Sequence, residues 1–205
     1  MSGPVRSIVF DVGNVLFKYD PNFIIDQLLG DSPYRQLILE HLFLSEAWQK
    51  MDRGDLTIDT LVLELQDEIG SHPFLNELPF LVERFVDYLV PDSEMIGLFE
   101  RLARRYAVYI LSNFQDRPFD RLVASHPFFN LAHGIVVSAK VNMMKPETQI
   151  YSFLLNRYQL DPQSTVFIDD LPANIDSAER LGITGILYNT PTETIAKLRA
   201  CGVEL

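Results

Sequence analysis

Cysteine is almost missing from this chain: its 205 residues include one, Cys201. A single thiol excludes an internal disulfide framework and any cluster of thiolate metal ligands, and Cys201 reads as a small apolar residue near the end. Long apolar runs are missing too. No stretch reaches the roughly 20 residues that span a bilayer. The first apolar segment breaks at Asp11 after a few residues, unlike a signal peptide. Basic charge is in deficit, with 17 Lys and Arg against 28 Asp and Glu, a formal net charge of -11. Nucleic acids and anionic membranes are polyanions, so this balance argues against both as partners. A small anionic substrate stays open, because a few local donors outweigh a distant mean field. Internal repeats and low-complexity tracts are absent. What is left is a cytoplasmic globular protein, one sizeable domain or a domain carrying a small insertion.

The stretch that is present and informative comes first. Residues 7–10 are apolar and partly β-branched, a short buried strand, and Asp11 ends it abruptly. Gly13 allows a sharp turn that brings its carbonyl near whatever Asp11 holds. The next seventy residues look helical, with no second strand. Asp20-Pro21 starts a helix that stops at Gly30, and Ser32-Pro33 starts another with Leu37, Ile38, Phe43 and Leu44 facing a core. A short helix spans 45–51. Thr57 caps the next, and a last one covers 80–89 before Pro91. The pattern then alternates. Strands at 107–111, 135–137, 165–168 and 185–188 are separated by helices near 95–103, 117–124, from Lys145-Pro146 onward, and 173–181, with a closing helix at 192–200.

Alternation of this kind predicts an α/β fold, a Rossmann-like parallel sheet with helices on both faces. Residues 1–17 and 91–205 form its core, and 18–90 form a small inserted α-helical cap. Ligands of such sheets bind outside the carboxyl ends of the strands. Asp11, Ser112-Asn113 and Asp169-Asp170 each follow a strand and are expected to meet at that edge, beneath the cap.

Taken together these groups fit one reaction. Oxygens from Asp11, the Gly13 carbonyl and Asp170 suit Mg2+, which prefers octahedral oxygen coordination. The cation offsets repulsion between a carboxylate nucleophile and a phosphate. Ser112 and the amides beside it, including that of Asn113, can donate to phosphoryl oxygens, and Lys145 can balance their developing charge. Asp11 can then attack phosphorus, and water can hydrolyse the aspartyl-phosphate.

The motifs Asp11-Val12-Gly13-Asn14-Val15, Ser112-Asn113, Lys145-Pro146 and Asp169-Asp170 with Asn174, in this order and at these strand ends, resemble the haloacid dehalogenase-like (HAD) hydrolase superfamily. Within it the chain is most similar to helical-cap sugar-phosphate phosphatases, bacterial glucose-1-phosphate phosphatase among them. The resemblance covers nearly the whole chain. It implies Mg2+, a nucleophilic Asp11, and a metal-binding carbonyl at Gly13. It also implies Asp170 rather than Asp169 as direct metal ligand, with Asp169 orienting Lys145 or a metal-bound water and Asn174 completing the motif. The expected substrate is a small phosphorylated metabolite such as a sugar phosphate.

One position departs from the pattern. Most phosphatases of this kind carry an aspartate, the general acid and base, where this chain has Gly13. Losing a positioned acid typically costs roughly 100- to 10,000-fold. Rates are then expected to depend steeply on leaving-group basicity, unless a cap residue supplies the proton. Two other readings follow: a catalytically weak or silent binding protein that keeps the fold, and a metal-independent 2-haloacid dehalogenase in which Asp11 attacks carbon. The acid pair Asp169-Asp170 argues against the dehalogenase, since it repels an anionic halo acid. Among cap residues, Trp48, Lys50, Arg53 and His41 have the reach to approach the site, with Trp48 also fitted to the cap's own core.

Overall fold

The computed structural model describes residues 4–205; residues 1–3, which the sequence assigns to the core, lie outside them. The strands β1 (Ser7–Phe10), β4 (Ala107–Ser112), β5 (Gly134–Val137), β6 (Thr165–Asp169) and β7 (Thr184–Leu187) form one sheet, ordered β5-β4-β1-β6-β7. Every pairing in it is parallel. The short strands β2 (Phe17–Lys18) and β3 (Val90–Pro91) pair antiparallel beside it.

Successive residues of a strand point to opposite faces, and both faces are covered. Ile8, Phe10, Val108, Ile110, Val166 and Ile168 face one apolar cluster. Val9, Tyr109, Leu111 and Phe167 face the other, against Ile150, Tyr151 and Leu154 of the helix Thr148–Tyr158. A sheet buried on both sides explains why its strands read as near-continuous apolar runs. The first cluster continues without a break into Trp48, Leu61, Phe74 and Leu81 of the helical insertion.

The helices of the insertion follow their local signals. Asp20 caps Pro21–Leu29, its carboxylate accepting from Asn22 N at 2.9 Å. Thr57 Oγ1 caps Ile58–Ile69 by accepting from Thr60 N at 3.2 Å.

Four expectations need correction. The region after β1 is not purely helical: β2 and β3 zip together its two crossings into the sheet domain, and Asp92 N donates to Leu16 O at 2.8 Å beside them. A two-residue strand containing Pro91, which lacks an N–H, leaves no periodic signal. Leu44 does not face a core but is 71% exposed. The helix Arg35–Ile38 passes into a π-helical turn, Leu39–Phe43, whose wider winding rotates Leu44 off the buried stripe. The helix expected over 80–89 begins earlier, as Leu78–Arg84, and passes into a 3-10 helix, Phe85–Tyr88. Finally, Lys145-Pro146 does not open a helix. Glu147 N donates to Met144 O at 2.9 Å, closing a turn there, and the helix begins at Thr148.

Candidate active site

In chain order the sheet reverses direction at β1, with β4 and β5 to one side and β6 and β7 to the other. The crevice at such a switch point opens at the carboxyl ends of the strands, here β1 and β6. Asp11 follows β1 directly, and its N–H donates to Ile168 O at 3.0 Å, extending the ladder by one residue. That bond sets Asp11 beside Asp169. The turn after it is fixed by buried Val12, Val15, Leu16 and Phe17, whose backbone closes onto Val12 O. Asn14 takes a left-handed φ of 54°, a conformation asparagine tolerates better than most residues. From there its Nδ2 donates to Asp170 Oδ2 at 3.3 Å.

Lys145 lies at the centre. Its side chain is 1% exposed, and Nζ stands 2.7 Å from both Asp11 Oδ1 and Asp169 Oδ2. Burial alone would lower the ammonium's pKa, but the Asp11 and Asp169 carboxylates more than offset it and hold the group charged. The main chain of Lys145 is clamped by Asn113: Nδ2 donates to Lys145 O, and Oδ1 accepts from Lys145 N, each at 2.8 Å. The Asn113 side chain is thus committed to holding the lysine. Only its backbone amide is left to meet a ligand. Ser112 is buried just outside the cavity wall, and its Oγ has no hydrogen-bond partner among the described residues.

The two adjacent acids are treated differently by their surroundings. Asp169 is fully buried, and both its oxygens are engaged. Oδ2 takes Lys145; Oδ1 accepts from Leu171 N at 2.9 Å and Asn174 Nδ2 at 2.8 Å. Asp170 is half-buried and accepts from Asn14 Nδ2. Burial, reinforced by the Asp169 charge, raises its pKa. Burial also pushes Asp11 up to about 7 against the opposing pull of Lys145, with Asp169 adding to the rise. Oxygens of Asp11, Asp169 and Asp170 all lie within 4.8 Å of one another. An all-oxygen, net-anionic donor set of this kind fits a hard divalent cation such as Mg2+. Asp170 has the free lone pairs, and the Gly13 carbonyl accepts no hydrogen bond among the described residues.

These groups open onto a cavity of about 520 Å³ between the sheet edge and the helical insertion. Asp11, Gly13, Asn113, Lys145, Asp170 and Asn174 line its floor. Trp48, Phe85, Leu89, Phe114, Met144 and Leu171 make a mostly apolar wall. Of the insertion residues considered from sequence, only Trp48 reaches it. His41 packs against Phe74, Lys50 is exposed, and Arg53 pairs with Asp55 at 3.0 Å and with Glu147.

Sequence reasoning missed two acids in the cavity, Glu147, which pairs with Arg53, and Asp52. Asp52 lines it, one helical turn after Trp48 on the helix Glu46–Arg53. Burial pushes its carboxyl up to about 8; the Gln115 amide beside it opposes the rise, and the Asp11 charge adds to it. The i, i+4 spacing from a lone tryptophan was its signal, since such residues share a helix face.

The family model of the haloacid dehalogenase-like hydrolases matches residues 5–182, and the chain belongs to this family. The sesquiterpene phosphatase astK of Aspergillus oryzae is 28% identical over 195 residues, covering 95% of both chains. A D-ribitol-5-phosphate phosphatase of Bacteroides thetaiotaomicron is 26% identical, covering 87% of this chain and 89% of its own. In fold, the chain is similar to a HAD family enzyme of Bacteroides thetaiotaomicron solved with magnesium and inorganic phosphate, at a TM-score of 0.73 and 23% identity over 90% of this chain and 94% of that one. Among the described residues no helix is long and apolar enough to cross a membrane.

Proposed function

We propose that this hydrolase is a Mg2+-dependent phosphatase that works through an aspartyl-phosphate on Asp11. The observation that carries the reading is Lys145 buried between Asp11 and Asp169 at 2.7 Å from each. Buried ions are costly to fold stability, so such an arrangement favours a catalytic role over silent binding. Lys145 holds Asp11 in place and meets charge that builds on the phosphoryl oxygens. Asp169, tied by Asn174 and Leu171 N, keeps the ammonium in line and acts as a positioning residue. Asp11, Asp170 and the Gly13 carbonyl would hold the cation. When bound, Mg2+ supplies charge neutralisation between nucleophile and phosphate. Ser112 Oγ and the Asn113 amide are the remaining candidate phosphate donors.

The same floor would serve many esters; the wall bears on which. A sugar phosphate carries hydroxyls that need hydrogen-bond partners, and burying them unmet against Trp48, Phe85, Leu89 and Phe114 costs about 1–3 kcal/mol each. The apolar wall favours a phosphate ester with an apolar body over a sugar phosphate. The 28% identity to a sesquiterpene phosphatase supports the same preference.

Two outcomes check this reading. A chelator is expected to remove phosphatase activity and added Mg2+ to restore it; full activity after exhaustive chelation would contradict the metal. In a panel of phosphate monoesters, terpenyl and long-chain alkyl phosphates are expected to exceed sugar phosphates in kcat/KM by at least about tenfold, the equivalent of one desolvated hydroxyl. A sugar phosphate at the head of the panel would overturn the preference.

A further inference from the structure

We propose that Asp52 is the acid that protonates the leaving group, the role left vacant by glycine at position 13. The inference rests on the phosphatase reading and adds to it a catalytic residue supplied by the helical insertion.

Geometry carries it first. Asp52 lines the cavity that Asp11, Lys145 and Asp170 also line, on the side of the insertion. Its backbone is fastened to the segment that carries Lys145. Ser138 Oγ donates to the Asp52 carbonyl, Asn142 Nδ2 donates to Gly54 O at 3.5 Å, and Arg53 pairs with Glu147. Gly54 closes the helix at a left-handed φ of 88°. A Cβ there would lie 2.7 Å from Ala139 O, so only glycine permits this approach. The helix end that carries the acid is therefore held directly against that segment.

Its surroundings suit a proton donor. With its carboxyl pushed up to about 8, Asp52 is mostly protonated at neutral pH. A neutral carboxylic acid can donate where a carboxylate cannot. Beside it is the buried Tyr19 Oη, which has no hydrogen-bond partner among the described residues. Asp52 and Tyr19 feel each other directly, since after burial the Asp52 charge is the cause that raises the Tyr19 pKa. An unpartnered group beside a protonated acid marks a place where a further oxygen is to be received.

The proton account closes. Asp11 bonds to phosphorus as the P–O bond to the leaving group breaks. The leaving oxygen keeps the electron pair and takes the Asp52 proton, departing as an alcohol. Asp52, now a carboxylate, accepts a proton from the water that attacks the aspartyl-phosphate. The phosphorus–Asp11 bond breaks, phosphate leaves, and both residues return to their starting states.

The test compares two esters in one assay with Mg2+: p-nitrophenyl phosphate, whose leaving group needs no proton, and n-octyl phosphate, whose leaving group does. Asp52→Asn is expected to lower kcat on the octyl ester by about 100- to 10,000-fold and on the aryl ester by less than about tenfold. Asp52→Ala should show the same split, so a folding defect of one variant does not decide the result. Gly13→Asp in the Asp52→Asn background is expected to restore part of the octyl activity. A Cβ at Gly13 meets nothing within 4 Å, and the backbone there is not in the left-handed region, so a side chain can be attached without moving it. Equal losses on both esters, or no loss on either, would overturn the assignment while wild type remains an active phosphatase. Wild type inert toward both esters would instead overturn the phosphatase reading, and the Asp52 role with it.

Discussion

Asp11→Asn is expected to lower turnover by at least about 10,000-fold, the loss seen when a member of a nucleophilic constellation is removed. The amide is nearly isosteric, and its oxygen can still accept from Val12 N and Lys145 Nζ, both now 2.7 Å from Asp11 Oδ1. Only the nucleophilic charge is lost. Stability is expected to move the other way. Burial raises the carboxyl from 3.8 to about 7, so between those values the folded chain keeps a proton that the unfolded chain has released. The stability tied to this group is full below 3.8 and declines as pH rises toward 7. An amide escapes that decline. Without metal at pH 8, the variant should melt at or above the wild-type temperature. Activity within tenfold of wild type, with deamidation excluded by mass spectrometry, would place the nucleophile elsewhere. A markedly lower melting temperature would mean that the Asp11 charge supports the fold.

Lys145→Ala is expected to damage both activity and fold. Removing the ammonium leaves Asp11 and Asp169 buried, with oxygens within 4.8 Å of each other and of Asp170, and without their shared cation. Breaking a buried ion pair by deleting one partner costs about 3–5 kcal/mol. For a chain of this length that lowers Tm by roughly 6–20 °C. The loss should shrink as pH falls through the range where Asp11 takes up a proton, because a neutral carboxyl no longer repels its neighbour. Loss of the Lys145 Nζ contact with the Phe167 ring would not change with pH. Calorimetry at several pH values separates the two, and a loss independent of pH would assign the effect to packing. Turnover should fall by about 1000-fold or more, since the group that meets the phosphoryl charge is gone.

Asp11 is a position that a single strand end announces; Lys145 is not. An apolar run cut short by an acid is a local signal, and β1 and β6 each carry one. The alternation of runs then dictates a parallel sheet, and a parallel sheet brings its carboxyl ends to one edge. Asp11 and Asp169-Asp170 were therefore legible as strand-tip residues that meet at one edge, whereas Lys145 follows no strand and came in only through the order of the motifs. So were the caps at Asp20 and Thr57, because a side chain bonding its own helix start needs nothing distant.

What the tertiary structure alone decided involves partners far apart in the chain. The identical neighbours Asp169 and Asp170 differ only in what surrounds them. One is enclosed by Lys145, Asn174 and Leu171 N, the other meets Asn14; the resemblance implies the division, but only these distant partners produce it. The Asn113 side chain is a clamp on Lys145, a bond spanning 32 residues. Asp52 was not singled out in the sequence. It enters the cavity because the close approach of Gly54 to Ala139 lets its helix end dock on the segment before Lys145. Periodicity in a sequence reports which face of an element is buried. Which distant groups share that burial, and hence which carboxyl keeps its proton, is set only when the elements pack.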